Sequence, residues 1–318
     1  MAVEEVVLKD EQAGSEAHVL AGYGFNCYSF QVQHAGRSTE LLWAQPSFAS
    51  GKQRASASGI PLLFPFAGRI GKAAYVYEGK KYELEAGDGI GNGIHGFVLG
   101  VPWRVIEQTG NKVVGEYHAG RDNPAVLKRW PADFRIRVSY ELRRDTLRSR
   151  IAIDNPGEGL LPFWFGTHPY FRVPPLGGDN AAGCIVRVPA GDRWPLENML
   201  PTGKTETGGV AAQLASGMPF SETKLDDVFG GLMFAAGECH TAIEDPATHR
   251  AIEMTFGPEF TACVVYNPPH REAICIEPYT AVPDAFVLEG RGIAAGLRVL
   301  RHGESFQGQI DIAVVPVE

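Results

Sequence analysis

The sequence predicts an all-β protein built from packed antiparallel sheets, with little helix. Three observations carry this. Period-2 alternation of apolar and polar residues is the dominant pattern along the 318 residues. Glycine and proline number 38 and 22 and are spread evenly, as short strands joined by turns require. Neither βαβ alternation nor a Pro/Ser/Gly linker is found, so residues 1–318 are expected to form one domain. Strand-and-turn spacing implies roughly 20 or more strands.

The elements follow in chain order. Tyr28 to Gln33 alternates and reads as a strand. Tyr75-Val76-Tyr77 and Lys81-Tyr82-Glu83-Leu84 flank Glu78-Gly79-Lys80, which reads as a hairpin. Gly91-Asn92-Gly93-Ile94-His95-Gly96 fits the dinucleotide fingerprint in letters only, because a Gly-rich segment precedes it and Gly100 and Pro102 forbid a long helix after it. Pro124 to Trp130 predicts one or two helical turns, with Asn123 as cap and Pro131 as stop. Phe134 to Leu142 and Leu147 to Ile153 form a second hairpin. Gly230 and Gly231 break the stretch from Glu222 to Phe234. Ile274, Ile276 and then Glu277 read as a buried strand ending in a carboxylate. Gln307 to Val315 is a long final strand.

Composition narrows the function. Lysine and arginine total 29 against 37 acidic residues, a net charge of −8 with no basic run, so no nucleic-acid partner is expected. No segment approaches the ~20 apolar residues of a membrane helix, so no membrane partner is expected. The five cysteines are far apart and lack a Cys-x-x-Cys pair, which predicts reduced, mostly buried thiols in a cytoplasmic protein. Met1 to Gln12 is acidic without an apolar stretch, so no signal peptide is expected. The nine histidines show no metal-ligand spacing, and no phosphate loop or nucleophile elbow occurs. No metal and no cofactor are therefore expected.

Five polar positions stand out among glycines, prolines and aromatics. Arg69 ends the Pro-stiffened apolar run Gly59 to Gly68 and offers a donor fork for hydroxyls or a carboxylate. His95 lies between Gly93 and Gly96, where a ligand could approach closely. His168 sits in Phe163-Trp164-Phe165-Gly166-Thr167-His168-Pro169-Tyr170-Phe171, and Pro169 holds it extended. Aromatic faces of this kind pack on the C–H faces of a sugar ring. In Asp226-Asp227 only one carboxylate can easily face a pocket from a strand. Glu277 follows an apolar run, and a carboxylate buried there unpaired is costly, which points to a base with a raised pKa.

Taken in order, these segments resemble the aldose 1-epimerases, or mutarotases, over roughly residues 15 to 315. Thr167-His168-Pro169-Tyr170-Phe171 and Ile276-Glu277-Pro278 are the most specific parts. The resemblance implies a large antiparallel β-sandwich, the galactose mutarotase-like supersandwich, with an open carbohydrate cleft. It implies Glu277 as general base, His168 as general acid, His95 near the ring oxygen, and Arg69 and Asp226 on sugar hydroxyls. Asp226 rather than Asp227 is the position that matches. The expected reaction is exchange of α and β anomers of a free aldose, with acid and base on opposite sides of C1. The expected partner is a small sugar, and the chain is expected as a monomer or homodimer.

Two departures bear on the substrate. Many relatives carry His-Gly-Phe-Ala-Arg where this chain has His95-Gly96-Phe97-Val98-Leu99. The sugar-phosphate branch usually has Phe-Pro-Gln-Phe-Gly where this chain has Phe64-Pro65-Phe66-Ala67-Gly68. Both favour an unphosphorylated sugar. A hexose-6-phosphate 1-epimerase is the alternative, with Lys128, Arg129 and Arg172 as possible sources of a basic rim. A non-catalytic carbohydrate-binding protein would need neither His168 nor Glu277. A glycoside hydrolase using Glu277 and Asp226 would leave the histidine motif unexplained.

Overall fold

The computed structural model describes residues 3–317. Met1, Ala2 and Glu318, which the one-domain and leader expectations include, lie outside the described residues. Strands dominate, in three main sheets and several two-stranded ribbons, all antiparallel in their named pairings. The all-β expectation holds. The hairpin Arg135–Arg143 with Thr146–Asp154 pairs in register from Arg135↔Asp154 to Arg143↔Thr146. The Ala74–Tyr77 and Lys80–Glu83 hairpin closes through Glu78 and Gly79, both with positive φ, the geometry a tight two-residue turn needs.

A nine-stranded sheet has Ser305–Pro316 at its centre, and Thr146–Asp154 pairs with it on one side and with Arg135–Arg143 on the other. An eight-stranded sheet contains Asp192–Trp194, Asp226–Gly230, Ala262–Tyr266, Ala273–Tyr279 and Gly166–Thr167 as neighbours. A four-stranded sheet, Val6 to Glu40, starts the chain. One continuous hydrophobic cluster takes in Ile136, Val138, Ile151 and Ile310 from the large sheet and Phe229, Val265, Ile274 and Ile276 from the second. The two sheets thus bury their inner faces together, the arrangement a sandwich needs.

Alternation decides what faces outward on the eight-stranded sheet. On Ala273–Tyr279, Ile274 and Ile276 join the core cluster, so Cys275 and Glu277 point the other way; Tyr279 shares their face by alternation while its ring also packs against the cluster. Pairing carries that face across the sheet. Asp226 pairs with Tyr266 and Tyr266 with Cys275. Val228 pairs with Val264 and Val264 with Glu277. The result is one continuous face that carries Asp226, Tyr266, Cys275 and Glu277 together with Val228 and Val264.

Two local expectations need correction. Pro124–Lys128 is a 3-10 helix, and Asn123 makes no side-chain cap bond, because its backbone is neither extended nor helical. The helix Gly209–Ser216 had no counterpart in the periodicity. Among the described residues, no helix is long and apolar enough to cross a membrane. All five cysteines are buried and unpaired, as expected.

Candidate active site

The outward face of the eight-stranded sheet is the floor of a cavity of about 210 Å³. Arg69, His95, His168, Asp226 and Glu277, the five residues singled out from the sequence, all line it. Their segments are far apart in the chain, and different devices bring each in.

Glu277 is delivered by its strand and is 2% exposed. Tyr279, two residues on and on the same face, donates its hydroxyl to Glu277 Oε2 at 2.7 Å. Burial pushes the Glu277 carboxyl well above its ordinary range. The Tyr279 bond and the positive charge of Arg69 oppose that push, while Asp226 adds to it.

His168 follows the short strand Gly166–Thr167, and its N–H donates to the Pro61 carbonyl at 3.0 Å. Its ring stacks on Tyr170, with centroids 4.8 Å apart and planes 10° from parallel. Its Nε2 lies 3.2 Å from Glu277 Oε1. The two groups therefore stand side by side. Among the described residues, Nδ1 of His168 is buried without a side-chain hydrogen-bond partner. Burial holds the imidazole well below its usual range, and so favours its neutral form.

Arg69 and His95 arrive together. Arg69 pairs with Ile94 and Ile70 with Gly93 in a two-stranded ribbon, and the His95 N–H donates to the Gly68 carbonyl. His95 has a φ of +64° and meets His168 edge-on at 5.7 Å. Burial first, then the charges of His168, Arg69 and Arg54, hold His95 well below its usual pKa. The glycine after it has a different cause from the one expected. A Cβ on Gly96 would lie 2.0 Å from the Phe64 carbonyl oxygen, so the backbone needs the space, not a ligand.

Asp226 is exposed at the strand end, and protein atoms around its carboxyl push its pKa up, with Arg69 opposing. Asp227 turns away and accepts from Arg193 Nε at 2.8 Å. Only the first of the pair faces the cavity, as strand geometry requires.

Several cavity partners escaped sequence reasoning. Asp88, in a Gly-rich loop, accepts from Arg69 Nε at 3.2 Å and from the backbone of Ile90 and Asn92. It fixes the direction of the Arg69 fork. Tyr279 and Tyr170 read as core aromatics in an aromatic-rich sequence; their i, i+2 spacing from Glu277 and His168 was the available signal. Arg54 lines the cavity from a loop with no motif. The basic rim considered from the sequence is elsewhere. Arg129 pairs with Glu85, Arg172 donates to the Leu42 carbonyl, and neither these two nor Lys128 lines the cavity. Leu99 packs partly buried against the core.

Among the described residues, His168, Cys275 and Glu277 could converge on a metal, with ligand atoms within 4.8 Å of one another. Burial pushes the Cys275 thiol well up and so favours the S–H form, which is a poor start for a ligand. The arrangement is better suited to moving protons. A carboxyl and an imidazole in contact, both driven toward their neutral forms, can pass one proton between them at small electrostatic cost.

Comparison with known proteins identifies the family and the fold. The model of the aldose 1-epimerase family matches residues 5–313. The uncharacterized protein YphB of Escherichia coli (strain K12) is 24% identical over 299 residues, covering 89% of this chain and 94% of its own length. A galactose mutarotase-like protein of Clostridium acetobutylicum superposes with a TM-score of 0.86 at 21% identity, over 99% of both chains. The GalM/aldose epimerase homologue of C. elegans superposes with a TM-score of 0.82 at 16% identity, over 100% of both. At these identities the structural likeness is one of fold.

Proposed function

Because the chain belongs to the aldose 1-epimerase family, we propose that it interconverts the α and β anomers of an aldose by acid–base ring opening and closure. The observation that carries this reading is the contact of His168 Nε2 with Glu277 Oε1 at 3.2 Å on the cavity floor. Anomer exchange moves protons at two oxygens, the C1 hydroxyl and the ring oxygen, and both are bonded to one carbon. An acid and a base side by side match that need better than a pair held apart.

The steps follow from the groups present. The pair holds one proton; its shift to His168 leaves a carboxylate and an imidazolium. Arg69 and the Tyr279 hydroxyl favour that carboxylate. Glu277 takes the proton of the C1 hydroxyl while His168 gives one to the ring oxygen. The C1–ring oxygen bond breaks and the C1 hydroxyl becomes a carbonyl. Rotation about C1–C2 presents the other face, and closure runs the same transfers in reverse. Arg69, oriented by Asp88, and Asp226 hold ring hydroxyls, and His95 stands beside the ring oxygen as a neutral donor or acceptor. The reading takes residues 1–318 as one domain, supported by the continuous hydrophobic cluster.

Polarimetry of a freshly dissolved pure anomer tests it. The protein is expected to speed the approach to equilibrium. Glu277→Gln is expected to lower kcat by about 10²-fold or more, since it removes the base while keeping the shape. A wild-type rate equal to buffer for every aldose tried would overturn the reading.

A further inference from the structure

The cavity holds a cation that this acid–base chemistry does not use. Arg54 lines it beside Ser56 and Ala57. Its Nε donates to Ser56 Oγ at 3.1 Å, which orients the guanidinium and leaves the terminal nitrogens free to donate. Among the described residues, Arg54 has no carboxylate within ion-pair reach, whereas Arg69 is paired with Asp88. The segment is also fixed on both sides of Arg54. Tyr23 donates to the Gln53 carbonyl at 2.5 Å, and Tyr170 to the Ser56 carbonyl at 3.0 Å.

Position gives this cation a meaning. Tyr170, which holds Ser56, is the ring that stacks on His168. Arg54 therefore stands on the His168 side of the cavity. Its charge reaches His168, Tyr170 and Tyr266; Arg69 also reaches His168, and of the two it is Arg69 that acts on Asp226 and Glu277. His168 serves the ring oxygen in the reaction above. In an aldohexopyranose the ring oxygen is bonded to C5, and C5 carries C6. The C6 substituent is thus the part of the sugar that reaches the Arg54 side.

Charge then selects the substituent. One planar fork without an acidic partner suits one planar monoanion, held by two parallel N–H···O bonds. A phosphate dianion would call for further cations, and Lys128, Arg129 and Arg172 lie outside the cavity. We propose that Arg54 forms a carboxylate subsite and that the preferred substrates are hexuronic acids, aldoses carrying a carboxylate at C6. The proposal rests on the acid–base reading above.

The test compares anomer exchange of glucuronate and galacturonate with that of glucose, galactose and their 6-phosphates, together with calorimetric titration of glucuronate. Wild type is expected to favour the hexuronate over the matching hexose by at least tenfold in kcat/KM, with the preference falling as salt rises. Arg54→Gln is expected to lower that ratio at least tenfold, and Arg54→Lys to restore part of it. A preference for the neutral hexose or the 6-phosphate, or an equal loss on all sugars in Arg54→Gln, would overturn the proposal. Exchange of neutral hexoses without hexuronate preference defeats the subsite alone. Glucuronate binding that depends on Arg54 but without exchange of any sugar upholds the subsite and defeats the acid–base reading.

Discussion

Glu277 has two oxygens with two different fates. Oε1 meets His168, and Oε2 accepts from the Tyr279 hydroxyl. The second bond keeps the carboxyl from rotating and stabilises its ionised form. Tyr279→Phe removes that bond from a fully buried pair, so the Glu277 pKa rises further. The alkaline limb of the kcat/KM against pH profile, where the pair loses its one proton, is expected to move to higher pH, with a rate loss of roughly tenfold at neutral pH because less of the pair reaches the carboxylate–imidazolium form. An unmoved limb would mean that Tyr279 only fills space. That Glu277 and His168 line a cavity was legible because an ionisable residue next to proline in an apolar setting is costly to bury unpaired. Tyr279 was not, because a buried tyrosine is ordinary core material until its hydroxyl is seen to have a partner.

Elements with strong alternation and a turn residue at each end were readable one by one, as the hairpin from Arg135 to Asp154 shows. The helix Gly209–Ser216 was hidden because Gly208 and Gly209, both with positive φ, open it in place of a usual cap. Asp284 was equally hidden. It starts the helix Ala285–Gly290 in a left-handed conformation, and its side chain accepts the Gly71 N–H, while its own N–H donates to the Arg69 carbonyl. Burial raises the Asp284 carboxyl from 3.8 to about 6. Its contribution to stability is therefore full below pH 3.8 and is lost as pH rises through about 6. Asn keeps the acceptor and tolerates the backbone. Asp284→Asn is expected to match wild type near pH 4 and to be more stable at pH 8, by roughly 1–3 kcal/mol in thermal or urea unfolding. Equal stability at both pH values would contradict this.

At the scale of the molecule, the order of strands was the least legible feature. Thr146–Asp154 takes Ser305–Pro316 as its second neighbour, across about half the chain, and nothing local encodes that pairing. The site depends on it indirectly. The core must hold the eight-stranded sheet by its inner face for Glu277 to be left on the outer one. Ile151, fully buried on a strand beside the central one of the large sheet, does not line the cavity. Ile151→Ala is expected to cost about 3 kcal/mol in urea unfolding and to leave sugar kinetics unchanged without denaturant. An intact stability would contradict the assignment of Ile151 to the shared core.

The central claim is that Glu277 and His168 together move the protons of anomer exchange. Exchange NMR between the α and β C1 signals of an equilibrated aldose reads this without a net reaction. Wild type is expected to give cross-peaks that buffer does not, and Glu277→Gln and His168→Asn are each expected to abolish them while both variants stay folded. Cross-peaks of undiminished intensity in either folded variant would contradict the account.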